Sequence, residues 1–260
     1  MFNASQFENK VALVTGAAGG IGYQIATDLL HLGIHVCLLD SNESALLTAK
    51  TRLTQLGFSS NFGVVSGSVC DLAIMDLIDK YLARKRYLSF DFVINAAAIS
   101  PKKSDGLRTP AWEIDPVQWQ QVIGVNISGN FYVLRTVLPR MIERKSGAIV
   151  NISSLAGRRY SSIAGAAYVA SKAALDAMTR QFAGEVADFG VRINGIAPGR
   201  ISTPMANVGG DYLNENIRRA TPLKILGTAS DISKLTLFLL SDNARFITGE
   251  TFVVSGGRGL

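Results

Sequence analysis

Thr15-Gly16-Ala17-Ala18-Gly19-Gly20-Ile21-Gly22 is the stretch on which the reading of the fold turns. It follows an apolar run at 11–15 and opens a segment of helical period at 21–32. Glycines at a strand-to-helix turn let the backbone approach a diphosphate without Cβ obstruction. The helix start adds free N–H groups at the positive end of its dipole. A tight turn with no ligand would use glycine too, so the context decides. The turn opens the first βαβ unit, and Asp40 ends the second apolar run, 18 residues after Gly22. A carboxylate there accepts both ribose hydroxyls of an adenosine and repels a 2′-phosphate, which favours NAD over NADP. The other role open to Asp40 is a helix N-cap.

Outward from this turn the pattern alternates. Strands are expected at 11–15, 35–39, 62–65, 90–95, 148–152, 192–196 and 251–254, and helices at 21–32, 43–56, 72–86, 116–144, 167–189 and 231–240. Most of the strand runs are nearly continuously apolar, as strands buried on both faces of a parallel sheet must be. The expected fold is α/β, a doubly wound parallel sheet of seven strands with helices on both faces, in one domain spanning 1–260. No repeat, low-complexity tract or linker divides the chain. Irregular segments at 100–115 and 200–212 each follow a strand end, so they are expected over the ligand face.

Composition narrows the function. With 260 residues, 48% apolar and 18% charged, the chain is neither disordered nor in need of a metal or disulfide staple. The net charge of +6 is scattered, and Arg84-Lys85-Arg86 is the one basic block, which argues against nucleic-acid binding. Cys37 and Cys70 are expected as small buried hydrophobes in a reducing compartment. The two histidines, His31 and His35, have no companions that would complete a metal-ligand set, so no metal is expected. Asn3, Ser5 and Gln6 stand where a signal peptide needs apolar residues, and no apolar run approaches the roughly 20 that a membrane helix needs. A soluble, cytoplasmic protein with no membrane partner is expected.

Tyr168 and Lys172 are four apart at the start of an expected helix and share one face. An ammonium beside a phenol lowers a pKa that is about 10 in isolation, so this tyrosine could exchange a proton with an alcohol or carbonyl. Ser154 closes the fifth strand at its carboxyl end, where its hydroxyl could bind the same oxygen. Of the two adjacent serines, Ser153 is the better suited to cap the next turn. Asn126 lies inside the long expected helix, where asparagine is mediocre. Either its side chain is simply satisfied, or it relays protons to Lys172.

At this point the chain resembles the short-chain dehydrogenase/reductase family from about Lys10 to Gly257. The matching pieces are TGAAGGIG at 15–22, INAAAI at 94–99, VN at 125–126, NISS at 151–154, YVASK at 168–172, INGIAPG at 193–199 and FITGETFVVSGG at 246–257. The resemblance implies a Rossmann-type fold and NAD(P)-dependent oxidation of CH–OH groups. It implies that Tyr168 is the general acid/base, that Lys172 lowers its pKa and holds the nicotinamide ribose, and that Ser154 polarises the carbonyl. Asn126 would hold a water linking Lys172 to solvent. Gly16, Gly20, Ile21 and Gly22 would cradle the diphosphate, with Ser68 and Val69 against adenine and Ala97 against ribose. Asn95 would support the sheet, while Pro198, Ile201 and Thr203 would fix the carboxamide. The chain departs from the family at Ala96 to Ala98, where N-A-G is usual, and at Ser255, where aspartate is frequent. A homotetramer or homodimer built on the helices at 116–144 and 167–189 is expected on the same ground.

The expected substrate is a small secondary alcohol or ketone. Ser100, Pro101, Trp112, Tyr160, Met205 and Tyr212 follow strand ends and could line its pocket, and Arg158 and Arg159 could hold an acidic one or stay solvated. Two alternatives stand beside this reading. One is an NADP-dependent 3-oxoacyl-carrier-protein reductase, against which Asp40 argues, as does Phe189 where a basic residue commonly precedes the glycine. The other is a non-enzymatic dinucleotide-sensing protein.

Overall fold

The computed structural model describes residues 4–103, 106–203, 205 and 210–259. Its strands are β1 (Val11–Thr15), β2 (His35–Asp40), β3 (Phe62–Ser66), β4 (Phe92–Asn95), β5 (Gly147–Ile152), β6 (Val191–Pro198) and β7 (Thr251–Val254). They form one seven-stranded parallel sheet in the order β3-β2-β1-β4-β5-β6-β7. Between them run α1 (Gly20–His31), α2 (Glu43–Gln55), α3 (Ala73–Lys85), α4 (Pro116–Ile123), α5 (Gly129–Arg144), α6 (Ala166–Val186), α7 (Gly210–Ala220) and α8 (Ala229–Leu240). This is the expected Rossmann-type architecture.

All of β1 is buried, and its side chains alternate between two cores. Ala12 and Val14 join α1, α2 and α8 on one face; Val11 and Leu13 join α3, α5 and α6 on the other. Each fully buried leucine or isoleucine at this sandwich contributes roughly 1.5–3 kcal/mol. That two-sided burial is why the strand runs read as continuously apolar.

The sheet departs from expectation at three places. β4 begins at Phe92 rather than at residue 90, because Asp91 spends its carboxylate on the Val11 N–H (2.9 Å) and on Lys10 (3.2 Å) and Arg144 (2.8 Å). The single helix expected at 116–144 is divided by a π-helical turn at Gly124–Ser128. Finally, α7 covers a stretch expected to be irregular up to residue 212. It is strongly polar and buries Ile217 alone, too little apolar signal to register in a sequence reading. Residues 104–105, 204 and 206–209 of the two irregular segments lie outside the described residues.

The cysteines also split. Cys37 is buried as expected, whereas Cys70 is exposed; both are free. Among the described residues no helix is long and apolar enough to cross a membrane, and no group of three metal-ligating side chains occurs.

Candidate active site

The winding of the sheet reverses between β1 and β4, so the crevice for a ligand opens where their carboxyl ends diverge. The turn from Gly16 to Gly22 fills one side of it and the loop after Asn95 the other. Gly16 has φ +64°, and a Cβ there would lie 2.8 Å from the Ala97 Cα and N. A Cβ at Gly22 would lie 2.3 Å from the Gly16 carbonyl oxygen. Thr15 Oγ1 ties the two loops together by accepting the Ala96 and Ala97 N–H groups, both at 3.1 Å. By contrast, a Cβ at Gly19 would meet nothing within 4 Å, and one at Gly20 (φ +56°) would meet only the Thr203 side chain. The open side of the turn is therefore a bare backbone cradle. Beyond it lie the first-turn amides of α1, Ile21 among them, at the positive helix end.

Asp40 closes the far side of the cradle. Its Oδ2 accepts the Ala18 N–H and its Oδ1 the Asn42 N–H, both at 3.0 Å. The N-cap of α2 is Asn42, whose side chain accepts from Ala45 N, so Asp40 is not the cap. Each of its carboxylate oxygens keeps a further lone pair. Val69 is buried against Gly129, and Ser68 Oγ pairs with Cys70 Sγ at 3.1 Å. Asp71 Oδ1 accepts from Ala73 N at 3.0 Å at the start of α3, whose N-cap residue is Leu72. Asn95 Nδ2 donates to Asn151 Oδ1 (2.9 Å), and Asn151 Nδ2 to Thr179 Oγ1 (2.9 Å), which ties β4 and β5 to α6. On the opposite wall β6 ends at Pro198. Ile201 forms a parallel bridge to Gly227, and Thr203 turns its methyl towards Gly20.

The structure brings Ser154, Tyr168 and Lys172 together. Ser154 stands near enough to the Tyr168 hydroxyl to act on its pKa, and Lys172 Nζ lies 5.6 Å from the centre of the Tyr168 ring. Lys172 is 2% exposed, and its ammonium donates to the Ile152 carbonyl at 2.7 Å. Burial pulls its pKa down to about 8, against an upward pull from Asp176 on the next turn. Tyr168 departs from expectation: burial pushes its hydroxyl up, and the bond from Ser154 is what pulls it partway back. Lys172 sits over the ring and is anchored on Ile152, so it does not depress the tyrosine in the bare chain. The capping role expected of Ser153 falls to Ser154 instead. Ser154 accepts from Ala156 N and caps the 3₁₀ turn Leu155–Gly157, while Ser153 Oγ donates to the Lys172 carbonyl.

Asn126 occupies the π-helical turn, a device that redirects a side chain without ending the helix. Its Oδ1 accepts from Ile99 N (2.9 Å), and its Nδ2 donates to Ile99 O (3.1 Å) and to Ser171 Oγ (3.0 Å). Its backbone carbonyl accepts from Asn130 Nδ2 at 2.7 Å. Asn126 thus holds the loop after β4 against α6 rather than touching Lys172 directly.

Around the mouth the two arginines considered together separate. Arg158 is paired with buried Asp176 at 2.8 Å, while Arg159 hydrogen-bonds the Arg258 carbonyl. Trp112, Tyr160 and Tyr212 are all more than three-quarters exposed, and Arg108 lies over the Tyr160 ring. The sequence reading missed Lys102, Arg200 and Arg258. The usable signal was position, since each cation stands just past the carboxyl end of a strand.

A family model described as enoyl-(acyl carrier protein) reductase matches residues 16–258. The 3-oxoacyl-[acyl-carrier-protein] reductase of Staphylococcus epidermidis is 33% identical over 254 residues, which cover 96% of this chain and 98% of that one. Among solved structures, a 3-oxoacyl-[acyl-carrier protein] reductase from Brucella melitensis superposes with TM-score 0.91 at 34% identity, over 98% of this chain and 93% of that one. A 4-hydroxyisoleucine dehydrogenase complexed with NADH superposes with TM-score 0.81 at 33% identity, over 96% of this chain and 98% of that one.

Proposed function

The chain belongs to the short-chain dehydrogenase/reductase family, oxidoreductases acting on CH–OH and keto groups with NAD(P), and within it we propose an NAD(H)-dependent enzyme for a small secondary alcohol or ketone. The observation that carries this reading is the Ser154–Tyr168 hydroxyl pair with the Lys172 ammonium over the ring.

The residues present fit a dinucleotide. The cradle at Gly16, Gly20, Ile21 and Gly22, with Gly19 open beside it, would receive the diphosphate. Asp40 would take the adenosine ribose hydroxyls on its remaining lone pairs, Ser68 and Val69 would border the adenine, and Ala97 the ribose. Asn95 would hold the sheet beside the cofactor, and Pro198, Ile201 and Thr203 would fix the carboxamide. When bound, the nicotinamide supplies the two-electron acceptor or donor for the carbinol carbon.

The chain's own groups manage the proton. Tyr168 takes the hydroxyl proton during oxidation and returns it during reduction, and Ser154 donates to the carbinol oxygen as charge builds there. Lys172 holds the nicotinamide ribose and contributes positive charge at Tyr168. Asn126 fixes the loop after β4 against the helix carrying both residues. General acid/base help of this kind is commonly worth 10²–10⁴-fold. Cofactor and substrate share one domain, and a homotetramer or homodimer through α4, α5 and α6 would leave the crevice open.

A second reading, an NADP-dependent 3-oxoacyl-carrier-protein reductase, is favoured by the names of the relatives. Asp40 and Phe189 oppose it. A panel of secondary alcohols, sugars, steroids and carrier-bound 3-oxoacyl thioesters, followed at the nicotinamide absorbance with both cofactors, separates the two. NADH-dependent turnover of a small alcohol or ketone is expected. Turnover of the carrier-bound thioester alone, with NADPH preferred, would replace the first reading by the second.

A further inference from the structure

Past the carboxyl ends of four adjacent strands, β4 to β7, stand Lys102, Arg159, Arg200 and Arg258 respectively. At ordinary strand spacing these four ends span roughly 14 Å. Several contacts draw the segments together. Arg159 donates from its guanidinium to the Arg258 carbonyl. Gly199, just before Arg200, lies so close to Ser255 that a Cβ would sit 2.9 Å from the Ser255 Cα. A Cβ on Gly259 would sit 3.6 Å from Leu155, the neighbour of Ser154. Arg200 is oriented by Asn214, whose Oδ1 accepts from its Nε at 3.0 Å and its Nη2 at 2.9 Å.

Among the described residues Lys102, Arg159 and Arg258 make no ion pair, although Arg158 next door does and Lys103 reaches Glu113. Lys102, Arg200 and Arg258 are each half-buried. Like charges gathered in a half-buried place, beside a reaction centre, need an anion to be at ease.

We propose that Lys102, Arg159, Arg200 and Arg258 form a receptor for an oxyanion, a carboxylate or phosphate carried by the substrate of the oxidoreductase proposed above. The inference rests on that reading for the word substrate; the receptor itself rests on the cations. The groups bear the mark of it. Burial lowers the pKa of each of Lys102, Arg200 and Arg258, and one other cation of the set (Arg200, Arg258 and Arg159 respectively) lowers it further. A bound oxyanion relieves the repulsion and replaces the lost solvation. The guanidinium groups suit it because they can grip two oxygens at once.

Two measurements test this. Calorimetric titration of the full chain with succinate and with inorganic phosphate reads the receptor without turnover, and the two arms tell a carboxylate site from a phosphate site. Saturable binding of at least one is expected. Arg159→Gln, an exposed position, and Arg258→Ala should each weaken it roughly tenfold, the scale of one lost charged hydrogen bond. Arg258→Lys should recover part of the loss. No binding of either anion, or unchanged binding in both variants, overturns the proposal. The second measurement compares kcat/KM for an oxo acid and its methyl ester. The acid should be favoured by roughly tenfold or more in the wild type, and Arg258→Ala should bring the ratio close to one. An ester turned over as well as its acid overturns the proposal too. Failure of both compounds with either cofactor counts against the oxidoreductase reading, and the titration then still judges the receptor.

Discussion

The turn after β1 and the segment after β6 stand on opposite walls of one crevice, yet they are built on opposite principles. Around Gly16 and Gly22 backbone meets backbone, with Cβ positions 2.8 Å and 2.3 Å from main-chain atoms. Beyond Pro198 the wall is made by side chains: Arg200 on Asn214, Ile201 across from Gly227, Thr203 over Gly20. At Gly16 and Gly22 the first wall leaves no room for a side chain, whereas the face of the second is made of side chains that a substitution can change.

The largest expected effect lies between the two walls. Tyr168→Phe should lower kcat by about 10²–10⁴-fold, while the NADH dissociation constant, read by fluorescence titration, stays within about threefold. Equal loss of both would make the tyrosine structural. Next comes the backbone wall. Gly22→Ala should cost about 1–3 kcal/mol in a denaturation experiment and weaken NADH at least tenfold, because a carbonyl cannot yield as a flexible side chain can. A variant of wild-type stability and affinity would show that the turn has slack.

Lys172 offers a test by pH. Its folded pKa is about 8 against an ordinary 10.5, so between those values the unfolded chain holds a proton that the folded one has released. Stability therefore rises with pH across that window, by up to about 1.4 kcal/mol per unit, and the burial penalty is felt in full below it. Lys172→Met should lack this rise when denaturation midpoints are compared from pH 7 to pH 10. Parallel curves for the two proteins would refute the assignment. Asp40→Ala should shift the ratio of NAD to NADP dissociation constants by about tenfold towards NADP, the size of one charged repulsion. An unchanged ratio would leave Asp40 as a prop for Ala18 and Asn42 only. The smallest effect belongs to the side-chain wall: Thr203→Ala should change NADH binding by about threefold or less, one modest contact among several.

Much of the site was legible because its signals are local. The glycine turn, Asp40 at a strand end and the four-residue spacing of Tyr168 and Lys172 are each contained within one or two elements. Asn126 was legible as an oddity, a poor helix residue. The π-helical turn that explains it depends on contacts with Ile99 and Ser171, 27 and 45 residues away, which no local pattern records. That Ser154 rather than Ser153 caps the next turn was hidden for the same reason, since Ser153 is drawn off to the Lys172 carbonyl. Helix α7 was missed because it is polar overall and buries Ile217 alone, so no apolar run marks it in the sequence.

From the amino-acid sequence alone came the α/β alternation, the strands buried on both faces, the glycine turn after β1 and the side chains of the candidate site. These follow from periodicity and from chemistry confined to short stretches of chain. Tertiary structure alone decided two things. Burial raises Tyr168 where an adjacent amine was expected to lower it, and cations past different strand ends, the farthest 156 residues apart in Lys102 and Arg258, act in sequence on one another's pKa. The reason is common to both: desolvation and charge repulsion depend on what surrounds a group in space, and the surroundings are assembled from residues that the chain keeps far apart.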